Sequence, residues 1–225
     1  MHSRFISLAL LTSTLVLPPA LHADEHGGGA AMASVEMLTG ACVACHGPGG
    51  ASVGPATPSL AGLPVVYFVG AMLSYKHGQD LDAAEAEAAS DPELEDVEVF
   101  SRHGTIMDRI ASGYTLDEIK TMAHYFADKS VALAVQKFDA ELASKGEALH
   151  ADNCEKCHEE GGRSTVDDMV PLAGQWKPYL HYSLADFHGG ARGMPKKMKS
   201  RLEEVMETEG ESGLAALIDY YASQQ

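Results

Sequence analysis

The sequence predicts an all-α chain built as two tandem copies of one small domain. Three observations predict it: a five-residue device that recurs at a fixed offset, a wider repeat in the same register, and apolar residues at helical spacing. The device is Cys-x-x-Cys-His. "GACVACHGPGG" at 40–50 returns as "DNCEKCHEEGG" at 152–162, so Cys42, Cys45 and His46 stand 112 residues ahead of Cys154, Cys157 and His158. A length of 225 residues accommodates two units of roughly 100 residues each. The predicted boundaries are 1–23 for a removed leader, 24–130 for the first domain and 131–225 for the second.

The leader reads as an export signal. "MHSRFISLALLTSTLVLPPALHA" has Arg4 in a short basic start, an apolar run from Phe5 to Leu17, and Ala23 as the last residue removed. The run is too short for a retained span, and no later stretch reaches that length. The reading is a periplasmic protein without membrane insertion.

The repeat continues beyond the motifs. "PSLAGLPVVYF" at 58–68 lies over "VPLAGQWKPYL" at 170–180, pairing Leu60 with Leu172, Ala61 with Ala173, Gly62 with Gly174 and Tyr67 with Tyr179. A middle helix follows in each half, because Phe68, Met72 and Tyr75 and their partners Leu180, Leu184 and Phe187 each make an i, i+4, i+7 stripe. C-terminal helices are predicted over 115–127, where Thr115 and Glu118 form a capping box, and over 212–222. A helix precedes each motif, and "AELASKGEALHADNCEKCH" is expected to carry the second motif on it. Residues 130–138 link the halves. Between Asp80 and Glu98 the first half alone inserts nine carboxylates with no Lys or Arg, expected as a solvated loop or exposed helix.

Thirty-two acidic against sixteen basic residues give a net charge of −16, which excludes nucleic acid as a partner. All four cysteines lie in the two motifs. Local disulfides would leave the following histidines unexplained, and a zinc site needs four ligands where each motif offers three crowded ones. Covalent haem c accounts for every residue: two thiols meet the vinyl groups of one porphyrin, and the adjacent imidazole ligates the iron. Cys42 and Cys45 are thus assigned to one haem and Cys154 and Cys157 to a second, with His46 and His158 as proximal ligands. The carbonyl of Pro58 is placed to accept from the His46 imidazole, whereas Val170 holds the aligned position beside His158.

A methionine on the far face of each ring would cap the iron and raise its potential. It must come from the loop between the middle and C-terminal helices. Met107 answers this in the first half, with Met122 read as core. Met194, between Gly193 and Pro195, is preferred in the second, with Met198 as its competitor where a helix begins. His103, His181 and His188 are read as surface or core residues.

"CVACHGPGGASVGPATPSLAG" and "IMDRIASGYTLDEIKTMAHYFA" resemble the dihaem class I cytochromes c of the c-four kind. "CEKCHEEGG", "LAGQWKPYLHYSLADF", "MPKKM" and "LIDYYASQQ" resemble the dihaem cytochrome subunit of flavocytochrome c sulfide dehydrogenase. The resemblance covers nearly all of the chain after the leader, with the acidic insertion as its departure. It implies two tandem class I cytochrome c domains, each wrapped around one covalent haem, and a partner flavoprotein whose FAD takes electrons from sulfide. This chain would pass them singly to a soluble acceptor such as a small cytochrome, performing no bond chemistry itself. Two rivals remain at this point: a free dihaem carrier serving a terminal oxidase, and a dihaem enzyme such as a peroxidase or thiosulfate-oxidising cytochrome, which would leave one iron open.

Overall fold

The structure is a computed structural model and describes residues 33–225; the expected export signal over 1–23 and the start of the first domain lie outside them. Among the described residues every regular element is helical. The first half contains α1 (Val35–His46), α2 (Val65–His77), α3 (Leu81–Ala88), α4 (Met107–Ala111) and α5 (Leu116–Ala127). The second contains α6 (Ala140–Asn153), the single turn α7 (Glu159–Gly162), α8 (Lys177–His188), α9 (Lys196–Glu209) and α10 (Glu211–Ser223).

Local chemistry sets the helix starts. Ser34, Asp80 and Asp139 accept from backbone N–H groups of the first turns of α1, α3 and α6, where four donors would otherwise be orphaned. The expected capping box opens α5: Thr115 accepts from the Glu118 N–H while Glu118 accepts from the Thr115 N–H at 2.9 Å. The middle helices form as their stripes predict, with Phe68, Met72 and Leu180 buried.

Two apolar cores result. The first gathers Leu38, Phe68, Val69, Leu73, Ile119, Met122 and Phe126; the second gathers Leu180, Val205, Leu217, Ile218, Tyr220 and Tyr221. The sequence repeat is matched bond for bond in the backbone. Leu60 and Ala61 donate to the Gly50 carbonyl as Leu172 and Ala173 donate to that of Gly162, and Gly62 donates to Phe126 as Gly174 donates to Tyr221. Gly62 and Gly174 both adopt positive φ, at 78° and 66°. A Cβ on either would come within 2.6 Å of the linker, at Val131 or at Leu133. Only glycine meets both demands.

Three features differ from the sequence reading. α6 ends at Asn153, so the second motif lies on turns just beyond the helix, whereas Cys42, Cys45 and His46 lie on α1. The carbonyl of His150 accepts from both Cys154 and Glu155 N–H groups, which closes α6 there. The acidic insertion is packed as well as solvated: Ala84, Ala88, Leu94 and Val99 are buried in the first core. Its carboxylates are also tied down, Glu87 by Lys76 and His77 and both Asp91 and Glu93 by Lys120. Finally, the helix expected to begin at Met198 is present as α9, but at fourteen residues it far exceeds the five-residue α4 of the first half, an asymmetry the repeat does not predict.

Candidate haem sites

The first site is built on one helix and one loop. α1 delivers Cys42, Cys45 and His46, with Cys42 buried and Cys45 exposed. The loop after the motif returns Pro58 beneath the imidazole, so that the His46 Nδ1–H donates to the Pro58 carbonyl at 2.7 Å. This fixes the tautomer and leaves Nε2 as the free lone pair. Burial lowers the His46 pKa, opposed by the Pro58 hydrogen bond, so the ring is neutral and able to ligate at neutral pH.

The second site repeats this from the turns after α6, with one contact missing. His158 Nδ1 is buried and has no hydrogen-bond partner. Val170 stands where Pro58 stands in the first half. Its carbonyl lies on the Nδ1 side, near enough to raise the imidazole pKa against the burial that lowers it, yet outside hydrogen-bonding geometry. Cys154 is partly buried and Cys157 exposed, as in the first pair.

The donor chemistry fits haem c. All four cysteines are free thiols, and burial holds Cys42 and Cys154 above the usual thiol range. Among the described residues no three His, Cys, Asp or Glu side chains converge into a metal-binding set of their own. A ligand set completed by a porphyrin answers both facts. The seam between the halves adds a second one. Arg102 stacks on the Tyr75 ring at 4.3 Å and Arg192 on that of Phe187 at 4.2 Å, two rings that match in the repeat. Arg192 also donates to the Tyr67 hydroxyl at 3.0 Å. Both guanidiniums line one cleft with Tyr179 and Asp186, and neither forms an ion pair among the described residues. Burial would lower the Arg102 pKa, but the surrounding tyrosines outweigh it and hold the side chain charged. A buried cation, Arg102, and a half-buried one, Arg192, neither ion-paired to a carboxylate, suit the anionic propionates of haem.

The candidate caps are placed less evenly. Met107 opens α4 and packs on the first core, whereas Met122 is wholly buried with its sulfur 3.9 Å from that of Cys42. Met194 lies in the seam, lining a cleft with Glu98 and Phe100, because the preceding Gly193 N–H donates to the Ser101 carbonyl at 2.7 Å. Met198 sits in the first turn of α9. His103 is exposed and paired with Asp108, and His181 and His188 are exposed.

The described chain is 24% identical to reduced cytochrome c4 from Pseudomonas stutzeri, with a TM-score of 0.64 over 85% of this chain and 97% of that one. It has the fold of the dihaem cytochromes c4. A cytochrome c4 from Azotobacter vinelandii is 29% identical over 188 residues, covering 80% of this chain and 82% of the relative. The cytochrome subunit of sulfide dehydrogenase from Chlorobaculum tepidum is 32% identical over 95 residues, 42% of this chain and 66% of that one. No family model matches the sequence. The homologues are thus dihaem electron-transfer cytochromes, and two covalent haems c are the cofactors they imply.

Sequence reasoning passed over the seam. Arg102 and Arg192 carry no motif, but each stands a few residues before a candidate cap. Trp176 bridges the halves: its Nε1–H donates to the Ser52 carbonyl at 3.1 Å, beside Gln175, whose amide pairs with both backbone groups of Ser59.

Proposed function

We propose that this dihaem c-type electron-transfer chain is the cytochrome subunit of a periplasmic sulfide dehydrogenase. The partner is a flavoprotein whose FAD takes two electrons from sulfide; this chain accepts them one at a time and hands them to a soluble cytochrome. The observation that carries the electron-transfer part is the pair of neutral histidines, His46 buried and His158 half-buried, each set beside two free thiols. The second-half strings and the sulfide dehydrogenase relative support the partner. Bound haem supplies a one-electron couple at each site. Cys42, Cys45, Cys154 and Cys157 would hold the two rings, and His46 and Met107 in one domain and His158 and Met194 in the other would ligate the irons, with the domains bounded at 130 and 131. None of the described helices is long and apolar enough to cross a membrane.

The c4 relative, matched over four fifths of both chains, favours a second reading: a free dihaem carrier serving a terminal oxidase. Native purification separates the two. Under the first, a larger chain with flavin absorbance co-purifies, and the haem bands sharpen when sulfide is added without air. Haem without flavin, and no reduction by sulfide, gives the second. Met107→Ala and Met194→Ala are each expected to admit carbon monoxide at one iron without loss of haem. Exclusion of the gas by both variants would refute the two caps.

A further inference from the structure

The second half contains a chain of polar groups that the first half lacks. His150 lies on α6 one turn before Cys154 and is 1% exposed. Its Nδ1 is 3.0 Å from the Tyr221 hydroxyl on α10, and its Nε2 meets the carboxylate of Glu155, which stands between the two cysteines. Cys154 packs against the core cluster that holds Tyr221, whose hydroxyl pulls the thiol pKa down against the burial that raises it. Glu155 reaches solvent, with its side chain 44% exposed. Three groups, Glu155, His150 and Tyr221, therefore lead from water toward the sulfur that would hold the second haem. The matching residues in the first half are Leu38, Val43 and Phe126, with Leu38 and Phe126 buried in an apolar core. The duplication supplies its own control.

Hydrogen-bond direction gives this chain a function. With His150 neutral, Glu155 accepts from Nε2–H, so Nδ1 is an acceptor and the Tyr221 hydroxyl donates to it. With His150 protonated, Nδ1–H donates to the Tyr221 oxygen, and the hydroxyl hydrogen turns away, toward the Cys154 sulfur. A single proton thus adds a positive charge beside the site and reverses the dipole facing its thioether. Both changes favour an added electron, and by reciprocity an added electron favours the proton. The other groups around His150 do not replace it. Tyr220 stacks on it at 5.0 Å with its hydroxyl toward Glu147, Glu155 and Arg163, while Glu147 and Asp152 on α6 point to solvent. The field of His150 also reaches His158.

We propose that Glu155, His150 and Tyr221 form a relay that couples electron uptake at the second haem site to uptake of one proton from solvent, while the first site takes its electron without one. Each electron that enters the second site is matched by one proton passed through Glu155 to His150, and both leave on reoxidation. The inference rests on the dihaem reading.

The test is a spectroelectrochemical titration of the natively purified holoprotein between about pH 5 and 8, where histidine changes charge. Two reduction steps are expected. One should weaken with rising pH, by up to about tenfold in its equilibrium constant per pH unit for one proton per electron, and the other should stay level. His150→Gln, which keeps a polar group in the cavity, should abolish that slope and leave the level step unmoved. Tyr221→Phe installs the ring of the first half and should reduce the slope while haem stays attached. A slope that survives in His150→Gln, or two level steps in the unaltered protein, would overturn the relay. One haem per chain would instead overturn the dihaem reading, and the relay with it.

Discussion

The two halves share a backbone plan and differ in how they brace it. In the second half α6 runs two turns further back than α1 and crosses α10 at Gly146, where a Cβ would stand 2.0 Å from the Ala216 carbonyl. The aligned residue of the first half is Ser34, which lies before its helix and caps it. The first half compensates with α3 and the packed acidic insertion, which lay Ala84, Ala88, Leu94 and Val99 over its core. One half is held by a close helix crossing and the other by an added strap. The repeat therefore preserves the backbone that follows each Cys-x-x-Cys-His motif, namely the Gly50 and Gly162 turns and the Gly62 and Gly174 contacts, and leaves the outer bracing to diverge.

The largest expected effect breaks the crossing. Gly146→Val would force α6 and α10 apart and is expected to cost about 3 kcal/mol or more, because backbone, not a flexible side chain, blocks the new methyl groups. Ser34→Val at the matching position should cost only about 1 kcal/mol, the worth of one helix cap. Thermal melts followed at 222 nm rank the two. Equal losses would mean the halves are not braced differently.

Next comes the seam. Trp176 and Pro64 both sit immediately before a middle helix, yet only Trp176 reaches the other half. Its ring lies against Gly54, where a Cβ would be 2.6 Å away. Trp176→Ala should cost about 2 kcal/mol, less than a fully buried aromatic because the ring is half-buried. It should also split one melting transition into two. A single unsplit transition would show that the remaining seam bonds, from Gln175, Arg192 and Gly193, suffice.

Much of this was legible in the sequence, and the exceptions have physical causes. The repeated motifs, the stripes of α2 and α8 and the Thr115–Glu118 box are local signals, and each appears in the structure. The burial under the insertion was obscured because nine carboxylates dominate its composition. Its signal was the spacing of Ala84 and Ala88, four residues apart, followed by Leu94. The end of α6 at Asn153 depends on the His150 carbonyl accepting two N–H groups, a tertiary detail with no sequence marker. His150 itself could have been found, since the repeat sets a histidine over Leu38 at a core position. Arg102 and Arg192 escaped because their meeting requires both halves to be folded.

The smallest expected effect concerns the strap. Burial pushes the Glu87 carboxyl up, but hydrogen bonds from Lys76 and His77 overcome this and hold it below the ordinary carboxylate range. The hydrogen bond from Lys120 likewise holds Asp91 low. A carboxylate whose pKa is depressed on folding stabilises the fold above its unfolded value, and that contribution disappears as pH falls through the folded one. The strap should thus stay closed at neutral pH and loosen below about pH 4, where unperturbed carboxylates protonate. Limited digestion with an acid-active protease would then cut within 80–98 before any site in the second half. Lys120→Ala should move the onset of cutting upward in pH by releasing Asp91 and Glu93 together, with no change at either haem. If the second half is cut first in both proteins, the insertion is held by its buried Ala84, Ala88 and Leu94 alone, and its ion pairs are only surface decoration.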